Sequence, residues 1–344
     1  MSLNKVLFIT ATFIVTSICS YGQTAEEAHK YLSELTSSLD DFRQETWYIV
    51  KSTVGSRSVS DLDYKIHELT TKIRSTREEL TSDEGFYGDL SVKVAMRIYL
   101  RTAANILTED YQDIKALEVH SHHSFKNMER YLQAQNKAND RLSEGGERLD
   151  VELKRFADRY GVVVTEEKYL LAEKIEKSSA AMAYYNQTYL SFFKAHEQKL
   201  RVYEALRTGD FDRIREENSL LLLYCNESLD RLDIQDAFYG DEALWNAANN
   251  ILNHFKYEAT EVYPSSIRAI EKQQIFNLAQ KVFDEKPEEE RSQGDVNHIN
   301  ALIDPLNAAI DIQNSLFTKA DSERTKLFNE WNSQINAFFA AYIS

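Results

Sequence analysis

The sequence has few of the residues that interrupt helices, with three prolines and ten glycines among 344 residues. Turn-rich β proteins use more of both, so this scarcity argues against that class and favours helices. Cysteine is also scarce: Cys19 lies near the amino terminus and Cys225 is the other. If Cys19 is lost with a leader, no intramolecular disulfide is left. The apolar run before Cys225, without a flanking cation, predicts a buried and unreactive thiol.

Basic residues are outnumbered by acidic ones, 40 to 55, which gives a formal net charge of −15. This negative charge argues against binding to nucleic acid or to anionic lipid surfaces. The sequence also lacks the P-loop, dinucleotide-binding, Gly-x-Ser-x-Gly and His-Glu-x-x-His motifs. We therefore expect no enzyme activity and no cofactor, and partners that are proteins or envelope components.

Residues 1–22 have the pattern of a secretory leader. Lys5 precedes an apolar run that ends at Ile18, and small or polar residues follow up to Gly22. The run is short for a membrane span, and no later segment reaches the roughly 18 apolar residues that a span requires. We predict cleavage near residue 22 and an exported protein that is periplasmic, cell-surface or secreted. Lipid modification of Cys19 is an alternative, although the bulky Ile18 suits that processing poorly.

The tetrapeptide Phe-Tyr-Gly-Asp occurs twice, at residues 86–89 and 238–241. Aligning the two copies brings further residues into register in the same order along the chain, and segments 137–160 and 319–342 align without a gap. The pairs include Ala95 and Ala247, Tyr111 and Tyr263, Leu149 and Trp331, Phe156 and Phe338, and, upstream, Tyr31 and Tyr189. Collinear matches of this kind indicate an internal duplication, with units at 23–163 and 164–344.

Apolar residues recur at steps of three and four through most of the chain, as in amphipathic helices. In the third helix, for example, one side carries most of a set of five apolar residues, Leu90, Val94, Ile98, Leu107 and Ile114. Four such helices in each unit, joined by short breaks, predict an all-α fold of two tandem, duplicated antiparallel four-helix bundles joined by a long helix. The charged segment at about 284–296 lacks a counterpart in the first unit and predicts an exposed loop, with the last helix starting near Pro305.

The repeated tetrapeptide has a local structural explanation. In each copy the phenylalanine can act as a hydrophobic staple, the glycine permits a left-handed backbone, and the aspartate can accept the first free N–H groups of the next helix. The residues concerned are Phe86, Gly88 and Asp89 in the first copy, and Phe238, Gly240 and Asp241 in the second. The motif is therefore explained as a turn and helix cap without a ligand.

The best metal candidate is the run His120-Ser-His122-His123, with Glu118 just before it. On a helix, His120 and His123 share one face and Glu118 shares another with His122, so either pair could bind Zn²⁺ or Cu²⁺. The ligands would be divided between two faces, however, and the aligned segment 271–275 has no histidine. The alternative is an exposed corner between two helices.

Aromatic side chains are plentiful, with 19 tyrosines and 17 phenylalanines. Several follow one another on the predicted linking helix, namely Tyr184, Tyr185, Tyr189, Phe192 and Phe193. Their spacing predicts core packing or, alternatively, a groove near Tyr185 that binds an apolar ligand or a partner helix.

Several segments carry a family resemblance: the leader, the Phe-x-Gly-Asp turn in both halves, Leu107–Tyr111, Met128–Leu142 and Tyr184–Lys194. Across the whole chain, the sequence resembles a family of bacterial cell-envelope surface proteins. The resemblance implies export and helical duplication, and that family has no established activity, cofactor or active-site residues. Imelysin-type duplicated-bundle metallopeptidases are a more distant comparison, because their Gly-x-His-x-x-Glu motif is missing here.

Export, duplication, helix content and missing catalytic motifs together predict the class of function. We expect a non-catalytic, envelope-located or secreted protein that serves as a structural or protein-binding module. The alternative is an envelope protein that binds a metal or a small ligand through the histidine cluster or the aromatic groove.

Overall fold

The computed structural model describes residues 25–46, 49, 62–163 and 170–343. The predicted leader, with Cys19, and the predicted start of the second unit at residue 164 lie outside these ranges. Within them the chain is all-helical and contains no β-strand, which confirms that the fold is all-α. None of the helices in the described ranges is long and apolar enough to cross a membrane.

The described residues up to Gly161 include the helices α1 (25–46), α2 (Asp63–Ser82), α3 (Ser91–Asn105), α4 (Tyr111–Ser121) and α5 (Phe125–Tyr160). A π-helical turn, Ile106–Asp110, joins α3 to α4. One apolar core contains side chains from α1, α2, α3 and α5, among them Leu39, Leu69, Met96, Leu149 and Phe156. These helices therefore bury their apolar faces against one another.

The second part contains α6 (Leu170–Thr208), α7 (Phe211–Asp233), α8 (Ala243–Tyr257), α9 (Tyr263–Glu285) and α10 (Gln293–Ile343). A second π-helical turn, Glu258–Val262, joins α8 to α9, and a 3₁₀ turn, Glu288–Glu290, lies between α9 and α10. Buried apolar side chains come from α6, α7, α8 and α10, among them Val202, Leu221, Ile251, Phe255 and Trp331.

The chain divides into two compact units within α6, between Met182 and Ala183, and the residues from Tyr342 onward group with the first unit. The predicted boundary at residues 163 and 164 comes earlier. The first turns of α6 therefore group with the first unit although they follow the predicted boundary in the sequence.

Side-chain caps and a left-handed glycine set several helix ends. Before α5, Ser124 Oγ accepts the N–H of Asn127 at 3.2 Å. Before α7, Asp210 Oδ1 accepts the N–H of Arg213 at 3.1 Å. Gly161, with φ of +68°, ends α5, because a left-handed residue stops the helix and glycine adopts that backbone without strain.

The first part of the stripe predicted for the third helix faces solvent, since Leu90, Val94 and Ile98 are 44%, 46% and 57% exposed. Its later residues are covered, because Leu107 is half-buried and Ile114 is buried. The face of α3 that is buried instead carries Val92, Met96, Tyr99, Leu100 and Ala103. Both faces have apolar residues at helical spacing, so periodicity alone could not identify the buried one. Packing against α2 and α5 buries the face with the larger side chains, Met96 and Tyr99.

The break between α9 and α10 is shorter than the predicted loop at 284–296. Helix α9 continues to Glu285 and α10 already begins at Gln293, so Pro305 lies inside α10 rather than at its start. Asp295 helps to close the break, because its carboxylate accepts the N–H of Ser292 at 2.8 Å and pairs with a lysine at 2.7 Å. Asp284, Glu285 and Asp295 thus belong to the two long helices, whereas the other charged residues of the segment lie in the break.

Candidate functional site

The two Phe-Tyr-Gly-Asp segments fold into the same tight turn. In the first, Tyr87 and Gly88 have φ of +50° and +85°, and Phe86 and Asp89 exchange both backbone hydrogen bonds, at 3.1 and 2.9 Å. In the second, the two central residues have φ of +51° and +82°. Positive φ at both central positions is typical of a type I′ turn. The sequence pointed to the glycine as left-handed but not to the tyrosine.

The aspartate of each turn accepts the N–H of the first residue of the following helix. Asp89 Oδ1 lies 2.9 Å from the Ser91 nitrogen, and Asp241 Oδ1 lies 2.9 Å from the Ala243 nitrogen. Each bond satisfies one of the N–H groups that have no partner within a helix. Asp89 also pairs with Arg159 on α5, so in the first unit this side chain links two helices.

The phenylalanine of each turn is held by aromatic rings from other helices. The Phe86 ring centroid lies 5.6 Å from that of Tyr31 on α1 and 5.5 Å from that of Phe156 on α5. Phe238 lies 5.2 Å from Tyr184 on α6, and it also contacts a phenylalanine of α10. These contacts are tertiary, whereas the predicted staple was a contact within one helix start.

The same contacts revise the alignment of the first helix of each half. Tyr31 and Tyr184 occupy matching places, because each lies between the turn phenylalanine and the aligned phenylalanine of the last helix. The sequence had paired Tyr31 with Tyr189 through a shared Tyr-Leu-Ser triplet. Matching Tyr31 with Tyr184 instead shifts the alignment of these two helices by more than one helical turn.

The histidine cluster lies at the corner between α4 and α5, and all three imidazole-bearing residues are exposed. His120 and His123 approach each other, with ring centroids 5.4 Å apart, while His122 follows the last residue of α4. Among residues 25–46, 62–163 and 170–343, no group of three or more His, Cys, Asp or Glu side chains is placed to hold a metal ion. The structure therefore brings two of the predicted ligands together, His120 and His123, without a third ligand beside them in these ranges.

The predicted aromatic residues of α6 pack against rings of α10. Tyr184, Phe192 and Phe193 are buried, and Tyr185 and Tyr189 are half-buried. The ring centroids of Tyr185 and Phe339 are 5.0 Å apart, and those of Phe192 and Trp331 are 4.8 Å apart. These ring contacts favour the interpretation that the residues belong to the core rather than to a groove near Tyr185.

The second unit contains a buried ionic network around Glu258, the first residue of its π turn. Glu258 is 1% exposed, and its Oε2 accepts a hydrogen bond from the Tyr263 hydroxyl at 3.0 Å. Its Oε1 accepts from Arg324 on α10, and His254 Nε2 lies 3.2 Å away. A carboxylate buried this deeply requires such partners, because an isolated charge is strongly disfavoured away from water.

Two basic side chains of α6, Lys199 and His196, lie beside this network. Lys199 is 4% exposed, and its Nζ lies over the rings of Tyr203 and Phe255, at 4.8 and 5.3 Å from their centroids. It makes no hydrogen bond to the described part of the chain. The Nδ1 atom of His196 is also buried without a hydrogen-bond partner in that part. The network also includes Asp321, which pairs with Arg324, but its side chain is 70% exposed whereas that of Glu258 is buried.

Burial shifts the pKa values of this network. It lowers the pKa of Lys199 to about 8, against the attraction of Glu258. Burial and the charge of Lys199 lower the pKa of His196 to about 4. Burial by itself would raise the pKa of Glu258, but the hydrogen bond from His254 and two nearby cations bring it below its ordinary value. Such shifts occur at active sites and in structural ion networks, and the burial of Glu258 and Lys199 indicates a structural role.

The first unit has apolar residues where the second has this ion pair. The alignment set by the repeated turn places Ile106 opposite Glu258, and the ungapped alignment of the last helices places Leu142 opposite Arg324. Ile106 and Leu142 pack in one apolar cluster. Sequence inspection missed the network, although comparing the halves position by position would have revealed two apolar-to-charged exchanges.

A cavity of about 270 Å³ lies on the first unit, between α2 and the π turn that joins α3 to α4. Most of its lining is polar, and the residues are Asp63, Ile66, His67, Thr70, Thr71, Arg74, Leu107, Thr108, Tyr111 and Gln112. At one end, Asp63 accepts hydrogen bonds from the Tyr111 hydroxyl at 3.0 Å and from Lys115 Nζ at 2.5 Å. These bonds, that from Lys115 most of all, lower the pKa of Asp63.

An exposed apolar stripe lies along the later part of α9, beyond the segment that aligns with α4. Ile275, Leu278 and Val282 are 52%, 65% and 54% exposed. Steps of three and four residues place them on one face of the helix. Single exposed apolar residues are ordinary, whereas contiguous ones are typical of interaction surfaces.

The described residues thus include three features that could bind a partner or take part in chemistry. They are the buried network around Glu258, the polar cavity beside Arg74 and the apolar stripe around Leu278. Comparison with protein-family models, with curated proteins and with solved structures finds no match for this chain.

Proposed function

We propose that this protein is exported and serves as a non-catalytic structural or protein-binding module of the cell envelope or cell surface. The leader-like pattern of residues 1–22 supports export. The net charge of −15 favours protein partners over nucleic acid. The helices of the described chain supply long faces of the kind that bind partner helices.

We infer that the architecture is a pair of duplicated four-helix bundles, in which α3 with α4 and α8 with α9 each count as one helix because a π turn continues them. Each half contains the same left-handed turn, followed by a helix, a π turn and another helix. The π turns Ile106–Asp110 and Glu258–Val262 begin at aligned positions, although their first residues differ in chemistry. A π turn is uncommon, so finding it twice in one register supports common ancestry of the halves.

The observation that carries the binding role is the stripe of Ile275, Leu278 and Val282. It lies on the part of α9 that extends beyond the segment aligned with α4 of the first unit. Between Asp284 and Asp311, acidic residues outnumber basic ones. An apolar stripe beside acidic residues suits a partner helix with an apolar face and basic flanks. The same acidity would oppose pairing with a second copy.

Site-specific photo-cross-linking in the cells that produce the protein tests this proposal. Benzoylphenylalanine replaces Leu278 in one variant and Ile234 in the other. Ile234 is an 82% exposed apolar residue outside the stripe, so it serves as a matched position. We expect one reproducible cross-linked protein from position 278 and not from position 234, identified by mass spectrometry.

Two triple variants then test whether binding depends on the stripe itself or on exposed apolar residues in general. The first replaces the three stripe residues by serine and should abolish co-purification of the cross-linked protein. The control replaces exposed apolar residues that share no stripe, Leu200, Leu223 and Ile234. Equal losses in both triple variants, or identical adducts from both cross-linking positions, would contradict the proposed binding surface.

A further inference from the structure

We propose that the cavity on the first unit binds a small acidic sugar, meaning a hydroxyl-rich ring that carries a carboxylate. This site is separate from the α9 stripe and would give the protein a second, ligand-binding role. The proposal depends on one unpaired cation, a row of hydrogen-bonding groups, and a backbone irregularity that shapes the cavity wall.

The cation is Arg74, which lies toward the carboxyl end of α2 and is exposed. Its guanidinium makes no hydrogen bond or ion pair with the part of the chain that the structure describes. A guanidinium presents parallel N–H donors that match the two oxygens of a carboxylate, so an unpaired arginine in a cavity wall suits a carboxylate ligand. Arg74 would therefore fix the acidic group.

Hydroxyl groups of a sugar would meet the polar middle of the cavity. Thr70, Thr71 and Thr108 donate their hydroxyl hydrogens to backbone carbonyls, at 2.7, 2.9 and 2.8 Å. Their oxygens keep lone pairs that can accept hydrogen bonds from a ligand. Gln112 supplies amide donors and an amide oxygen from the other wall. The wall thus offers both donors and acceptors, as a polyhydroxylated ligand requires.

The far end of the cavity does not repel an anion strongly, because Asp63 is already paired. Lys115 and Tyr111 both donate to its carboxylate, and its charge is largely satisfied there. Asp63 and Arg74 stand three helical turns apart on α2, so a carboxylate held by Arg74 would lie well away from Asp63.

The π turn gives the cavity wall its shape. The second unit has a π turn at the aligned position, but the residues around it differ. In the first unit the N–H of Tyr111 bonds to the Ile106 carbonyl, so the wider turn carries Leu107 and Thr108 to the cavity. In the second unit the residue aligned with Tyr111 is fully buried against Glu258, and a proline stands where the first unit has Gln112. π turns inside α-helices are frequent at functional sites.

The size of the cavity limits the ligand. Its volume of about 270 Å³ lies just under the range of roughly 300–1,000 Å³ that is typical of small-molecule sites. A ligand of one or two sugar rings fits this volume better than a long polymer. An open, polar site of this size is expected to bind weakly, with a Kd on the order of 1 mM.

Saturation-transfer NMR and isothermal titration on the whole protein test the proposal with three probes. D-glucuronate carries the ring hydroxyls and a carboxylate, D-glucose carries the hydroxyls alone, and acetate carries the carboxylate alone. We expect glucuronate to bind at least tenfold more tightly than either control. No glucuronate signal at about 10 mM, which is ten times the expected Kd, or equal binding of glucose or acetate, would overturn the proposal.

Variants assign the binding to the cavity. Arg74→Gln should weaken glucuronate binding at least tenfold. The affinity of Arg74→Lys should lie between those of Arg74→Gln and the wild type, because lysine keeps the positive charge without the paired N–H donors of the guanidinium. The matched control is Arg97→Gln, which removes an exposed arginine of α3 that does not line the cavity. Circular dichroism melts confirm that all three variants fold. Equal effects of Arg74→Gln and Arg97→Gln would overturn the assignment to this cavity.

Discussion

Glu258, in the π turn of the second unit, and Arg324, on α10, form an ion pair in the protein interior, with side chains that are 1% and 15% exposed. The aligned positions of the first unit hold Ile106 and Leu142, which pack as apolar neighbours. A buried ion pair contributes little beyond a well-packed apolar pair, but removing one partner leaves the other uncompensated. The second unit therefore has a polar and more vulnerable interior at this position.

Replacing one member of this pair should destabilise the second unit strongly. Glu258→Ile is expected to lower the free energy of unfolding by about 3–5 kcal/mol, because Lys199 would lose its buried counter-charge and Arg324 would keep only the largely exposed Asp321 as an ionic partner among the described residues. The double variant Glu258→Ile/Arg324→Leu restores the residues of the first unit, so it should be more stable than Glu258→Ile. Urea denaturation followed by circular dichroism measures both. Strictly additive effects of the two single changes would show that the pair is not coupled.

The buried His196 should make stability depend on pH in a defined window. Its pKa in the folded protein is about 4, below the ordinary 6.5, so the unfolded chain binds the proton first as pH falls. Stability from this group is therefore full above pH 6.5 and is lost as pH drops toward 4. His196→Phe removes the titrating group and the unpartnered nitrogen. Its free energy of unfolding should therefore exceed that of the wild type by a margin that grows as pH falls through this window.

A second variant separates titration from packing at this position. His196→Gln also removes the titrating group but keeps a polar side chain against Phe255 and Phe328, the rings that His196 contacts. It should show the same change of slope with pH without a gain at pH 7. If both variants keep the pH slope of the wild type, His196 does not control this part of the acid sensitivity.

Two adjacent glycines inside α5 should respond differently to alanine. A Cβ added at Gly145 would lie 3.3 Å from Tyr99, whereas one added at Gly146 would lie at an ordinary 3.8 Å. Gly146→Ala should stabilise by about 0.5–1 kcal/mol, because alanine loses less conformational entropy in a helix. Gly145→Ala should gain less or destabilise, since the Tyr99 ring must move. Equal stabilisation of both variants in thermal melts would show that Tyr99 does not restrict Gly145.

The thiol of Cys225 should be unreactive in the folded protein. Cys225 is fully buried, and burial together with the charge of Glu258 raises its pKa to about 12. Because the thiolate is the reactive form, iodoacetamide at pH 8 should leave Cys225 unlabelled in the native protein and label it fully in denaturant. Peptide mass mapping distinguishes it from Cys19 wherever the leader is retained. Rapid labelling of Cys225 under native conditions would contradict its burial.

Local features of the chain were predicted well. The scarcity of proline and the apolar periodicity predicted helices, and the run before Cys225 predicted its burial, because both depend on nearby residues. The choice between the two apolar faces of α3 could not be predicted, since both carry apolar residues at helical spacing, such as Ile98 on one and Met96 on the other. Only the neighbouring helices decide which of the two is covered.

The sequence by itself determined the helical class and the two left-handed turns, because backbone preferences of glycine and of short polar residues act within a few positions. Tertiary structure alone decided that Glu258 meets Arg324, 66 residues away, and that Arg74 lines a cavity whose other wall is a π turn. These relationships arise from the packing of helices that are distant in the chain. The ionic partner of a buried carboxylate cannot be identified from its own helix, because folding brings that partner from a distant part of the chain.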